Sequence, residues 1–150
     1  METVLKIDGN QKLEIKELEQ LNSSGAGYDI LRYIGLPELF GEEKETLLYF
    51  LGRNLARRFE FNSLEDLRLF FEKMGLGVLD LVKEKKNLKT FYLLSDAVVA
   101  KLQSNIETDF RLEAGIIAEV MQQLEGVDCE CIESIHRRVK QVEFTVYMQD

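Results

Sequence analysis

The spacing of apolar residues switches from a helical to an alternating period at Gly75, then back, then once more before the C-terminus. No other feature limits the fold as strongly. Leu64, Leu67, Phe70, Phe71 and Met74 recur at three- and four-residue intervals behind the capping-box-like Ser63-Leu64-Glu65-Asp66, which predicts a helix ending at Gly75. GVLDLV (77–82) and LKTFYLL (88–94), separated by the turn-prone KEKKN, alternate as an antiparallel hairpin does. Ser95 is placed to cap a short helix through AVVAKL. DFRLEAGIIAEVMQQLEG (109–126) follows as one helix, and VDCECIESI (127–135) and VEFTVYM (142–148) as a second hairpin. Val142, Phe144, Val146 and Met148 face one way on its last strand.

Two helical stretches come before Ser63. The first starts at Ser23 or Ser24 and runs through YDILRYI to Gly35, where Leu36-Pro37 supplies a stop and LPELFG a connector. Only Asp29 and Arg32 are strongly polar between Tyr28 and Ile34, so this helix is expected to bury more than one face. The second spans about Glu43 to Phe59, with Leu48, Leu51, Gly52, Leu55, Ala56 and Phe59 inward and Arg53, Asn54 and Arg57 directed elsewhere. The order helices, hairpin, helix, hairpin is satisfied by an α+β domain over 23–150: one antiparallel sheet with helices on one face. Residues 1–22 read as an N-terminal arm, with strand, helix and fraying all open.

Composition narrows the function classes. At 150 residues and a formal net charge of −8, with basic residues interleaved among acids, the chain carries no footprint for nucleic acid. No apolar run has the length of a signal peptide core or a membrane span. Cys129 and Cys131, one residue apart, do not make a disulfide framework, which favours a reducing, cytoplasmic location.

Within 109–126, Phe110, Ala114, Ile117, Met121 and Leu124 share one side, and Leu112, Ile116 and Val120 widen it past a half-circle. Glu113 falls inside this apolar arc. A buried carboxylate costs several kcal/mol unless it is paired or hydrogen-bonded. One explanation is structural: Glu113 lies in the first helical turn, where free N–H groups and the macrodipole favour an anion, and it accepts a bond from a neighbouring element. The other is contact with a ligand or partner. Arg53 and Arg57 are candidate partners for it, or else only a solvated face. The small residues Gly52 and Ala56, against Ala114, Gly115 and Ala118, allow a close crossing of the two helices.

Cys129, Cys131 and His136 are the only candidates for a metal. Two thiols and one imidazole are a ligand short of a structural zinc site, and CxC lacks the usual spacing, so the cysteines are read as small core hydrophobes. The single histidine stands beside Arg137 and Arg138 at an expected hairpin tip, and neither a P-loop nor a Rossmann fingerprint is present. No cofactor is expected.

LYFLGRNLARRF (48–59), FFEKMGLGVLDLVKEKK (70–86) and FRLEAGIIAEVMQ (110–122) together resemble the YslB-like family, a domain of unknown function in Gram-positive bacteria. That resemblance implies kinship with four-vinyl-reductase-type domains and Bet-class subunits of the TRAPP tethering complex. It implies a four-stranded antiparallel sheet, a helical layer and dimerisation through helices. It supplies no reaction. The functional expectation is a non-enzymatic intracellular homodimer that holds a small apolar molecule or docks another protein. The alternative is an enzyme acting on a small molecule in a helix/sheet pocket, with Glu113 as acid or base.

Overall fold

The helix α6 (Arg111–Glu125) is the centre of the molecule, because residues 112–121 are all buried. A helix buried on every side must be covered by other elements all round, and α6 lies on strands β3 (Cys129–His136) and β4 (Gln141–Met148) and against the helix α3 (Lys44–Ala56). Gly126, in the left-handed region at φ 74°, ends it. These relations come from a computed structural model that describes residues 12–21 and 25–149. Ser23 and Ser24, read as helix caps, lie outside the described residues, as do residues 1–11 and 22 of the arm. Of the rest of the arm, Leu13 bridges to Phe59, and a 3₁₀ turn, Ile15–Gln20, packs on the helix α4 (Leu64–Lys73).

The four strands form one antiparallel sheet in the order β1-β2-β4-β3, with β1 at Val78–Lys85 and β2 at Leu88–Leu94. Each hairpin pairs internally, and the two join between β2 and β4, where Phe91 lies opposite Phe144. Burial follows the pleat: Val142, Phe144 and Val146 are enclosed, while Glu143 and Thr145 are half-covered and Tyr147 is exposed. The helices therefore cover one face only, as the alternating pattern requires. Ser63 and Ser95 cap α4 and α5 (Asp96–Gln103) by accepting bonds from the Asp66 and Val98 N–H groups.

The first helix departs from expectation. It does not stop at Gly35, and LPELFG is not a connector: α1 (Gly27–Ile30) passes through a π-helical turn, Leu31–Gly35, into α2 (Leu36–Phe40), which ends at Gly41 with φ 65°. Pro37 has no N–H, and in a regular α-helix its ring would crowd the carbonyl one turn back. In the wider turn the Leu36 N–H donates to the Leu31 carbonyl, five residues back, and Pro37 falls in the first turn of α2, where no donor is needed. The proline is thus carried inside a continuous helical segment.

Candidate functional site

Glu113 and Arg32 are each 1% exposed, and they meet. The π turn aims Arg32 at the N-terminus of α6, where its guanidinium grips Asp109 with both ends at 2.8 and 3.1 Å and reaches Glu113 Oε1 at 3.2 Å. Asp109 also accepts the Arg111 N–H at 2.9 Å, so it ties the helix start to the arginine. Burial pushes the Glu113 carboxyl above its ordinary value, with the Arg32 charge opposing. Burial pushes Asp109 up too, but the bonds and charge of Arg32 outweigh it and hold that carboxyl down. The carboxylate misplaced in the apolar arc is answered by a second misfit, Arg32 in the buried part of an apolar helix.

Arg53 and Arg57 do not partner Glu113. They converge on Glu119, two turns further along α6, at 3.2 Å each. Arg53 is not directed away from the core but is 5% exposed, and it also donates to Gln122 Oε1 at 2.7 Å and to the Cys129 carbonyl at 2.9 Å. Beside it the Tyr49 hydroxyl donates to Glu130 and accepts the Cys131 N–H at 3.1 Å; burial and the Glu130 bond push Tyr49 up to about 12. This network joins α3, α6 and β3. Glu119 lies on the α3 side of α6, and its signal in the sequence is two arginines one turn apart on the helix that covers it.

The two helices touch backbone to backbone. A Cβ on Gly52 would lie 2.1 Å from the Leu112 carbonyl oxygen, and one on Gly115 2.0 Å from that of Tyr49. Ala56, Ala114 and Ala118 are fully buried around this crossing. Cys129 and Cys131 are unpaired thiols on the covered face of β3, and burial raises both. His136 stands at the far end of that strand, exposed and 2.7 Å from Glu143. Among the described residues no three His, Cys, Asp or Glu side chains group as metal ligands would.

Next to Arg32, Asp29 of α1 and Tyr33 of the π turn face Ala97, Ala100 and Lys101 of α5 across a cleft of about 200 Å³, also lined by Ser104, Ile106 and Thr108. Burial and the Glu113 charge raise the Tyr33 phenol. The opposite side of the same helical segment carries Ile30, Leu31 and Ile34, all exposed. No helix among the described residues is long and apolar enough to cross a membrane.

This arrangement defines an α+β domain of the vinyl-4-reductase-like fold. The crystal structure of a vinyl-4-reductase family protein from Methanocaldococcus jannaschii matches it with a TM-score of 0.66 at 18% identity, covering 91% of this chain and 88% of that one. Residues 25–147 match the family described as protein of unknown function DUF2507, and the chain belongs to that family. The uncharacterized protein YslB of Bacillus subtilis (strain 168) is 33% identical over 132 residues, 88% of this chain and 89% of YslB. The uncharacterized protein MJ1642 of Methanocaldococcus jannaschii is 23% identical over 108 residues, 71% of this chain and 65% of that protein.

Proposed function

We propose that this protein is a non-catalytic cytoplasmic domain that works as a homodimer, joined through the helical face formed by α1, the π turn, α2 and α3. The observation that carries the reading is the apolar character of that face: Leu31 is 61% exposed and Leu39 76%, with Ile30, Ile34, Leu47 and Phe50 also open. Apolar side chains grouped on one helical layer mark an interaction surface. A second copy is the occupant that the charge balance favours. At a net charge of −8 two copies repel, except where they meet through side chains that carry no charge. The non-catalytic part rests on Glu113, which is enclosed and held by Arg32 and so supports the helix junction rather than facing a substrate.

The test is a charge placed on the face. Leu31→Glu combined with Ile34→Glu is expected to leave far-ultraviolet circular dichroism unchanged and to convert a dimer into a monomer by light scattering. If the doubly charged variant keeps the mass of the unaltered protein, the interface is elsewhere or absent.

A further inference from the structure

The cleft between the α1–π-turn segment and α5 holds a lysine whose ammonium has no hydrogen bond among the described residues. Lys101 is only 11% exposed, yet its nearest carboxylate oxygen, on Asp29, is 3.8 Å away, beyond hydrogen-bond reach. Its ammonium lies instead near the rings of Tyr33 and Tyr28, at 5.4 and 5.8 Å. Tyr33 lines the same cleft, and its hydroxyl is buried without a partner. Buried donors in native proteins are almost always satisfied, so each exception asks for a reason. Ala97, Ala100 and Ile106 give the cleft apolar walls.

We propose that this cleft is a binding site for a small monocarboxylate with a compact apolar body. The carboxylate takes bonds from the Lys101 ammonium and the Tyr33 hydroxyl, and the body lies on Ala97, Ala100 and Ile106. The Lys101 ammonium lies over the Tyr33 ring, and its movement toward the guest opens the buried hydroxyl. Size and charge narrow the class. About 200 Å³ holds about six or seven water volumes, the scale of one aromatic ring with its carboxylate. Asp29, Asp109 and Glu113 outnumber Lys101 and Arg32 in this neighbourhood, which disfavours phosphates and other multiply charged anions. The site faces away from Leu31 and Ile34, so it stands or falls independently of the dimer.

The probe is benzoate, titrated into ¹⁵N-labelled protein at millimolar concentration, with benzylamine and benzyl alcohol as controls. Saturable amide shifts confined to α1, the π turn, α5 and residues 104–108 are expected with benzoate and not with the controls. Lys101→Met should weaken binding by roughly tenfold or more, the equivalent of about 1.4 kcal/mol. Tyr33→Phe separates ligand from scaffold: deleting an unpartnered hydroxyl should leave the melting temperature equal or higher while it weakens benzoate. Absence of saturable shifts, equal binding of benzyl alcohol, or unchanged affinity in Tyr33→Phe would each overturn the assignment. If Lys101→Met fails to fold, the Tyr33→Phe comparison decides alone.

Discussion

Replacing Arg32 with methionine removes the cation that bonds both carboxylates between the π turn and α6, and the consequence follows from where those two carboxylates sit. Asp109 is partly exposed and rehydrates once released, whereas Glu113 is sealed and cannot. Breaking a buried pair from one side costs about 3–5 kcal/mol; with one of the two carboxylates able to reach water, the lower half of that range, about 3–4 kcal/mol, is expected. With a urea slope of about 2 kcal/mol/M, the midpoint falls by about 1.5–2 M. The loss also depends on pH with a defined sign. Glu113 titrates above its unfolded value of 4.5 in the native protein, so its contribution is full below that value and is lost as pH rises through the folded one. Asp109, held below 3.8, contributes above its unfolded value and loses that contribution as pH falls through the folded one. Without Arg32 both carboxyls titrate higher, so the deficit is largest near neutrality and shrinks on acidification, by at most about 1.4 kcal/mol per pH unit for each carboxyl. Urea titrations of both proteins at about pH 7 and about pH 5 measure this. A deficit under about 1 kcal/mol near neutrality, or one equal at both pH values, would refute the reasoning. Adding Glu113→Gln to Arg32→Met removes the stranded charge and should recover part of the loss.

Other outcomes follow from the same geometry. Gly115→Ala drives a methyl to 2.0 Å from a backbone carbonyl that cannot move aside, and thermal melts should show a loss of about 3 kcal/mol or more; a shift of only a few degrees would mean the crossing is looser than described. Arg53→Met leaves Glu119 and the Cys129 carbonyl short of a donor and should cost about 3 kcal/mol or more, whereas Arg57→Ala, at a half-exposed site, should cost less than about 1 kcal/mol in the same denaturation assay. Cys129 and Cys131 are enclosed and disfavour the thiolate, so a thiol reagent should label them only on unfolding; rapid labelling of the native protein would place them at the surface.

The sheet was legible because half-burial writes itself into sequence with a period of two: Val142, Phe144 and Val146 alternate with Glu143, Thr145 and Tyr147, and the structure keeps that division. The serine caps were legible for a similar local reason. The junction of α1 and α2 was not, since a glycine followed by Leu-Pro has the signature of a stop, and only the widened π turn lets Pro37 pass. Glu113 stood out as a carboxylate in an apolar arc, but its partner did not, because Arg32 is 81 residues away and pairing over that separation is set by tertiary packing. Arg53 is hidden for the opposite reason. A charged side chain on a helix reads as solvent-facing until the element that covers it, here α6 with Glu119 and Gln122, is known. Two charges, each out of place among apolar neighbours on a separate helix, are worth testing as one pair.

Self-association of the chain is directly measurable. Sedimentation equilibrium of the unaltered chain, with a monomer mass of 17.4 kDa, gives it without a variant. Twice that mass at micromolar concentration is expected, with no dependence on salt beyond a modest tightening as like charges are screened. A single species at the monomer mass across that range would contradict it and leave the apolar helical face without its proposed occupant.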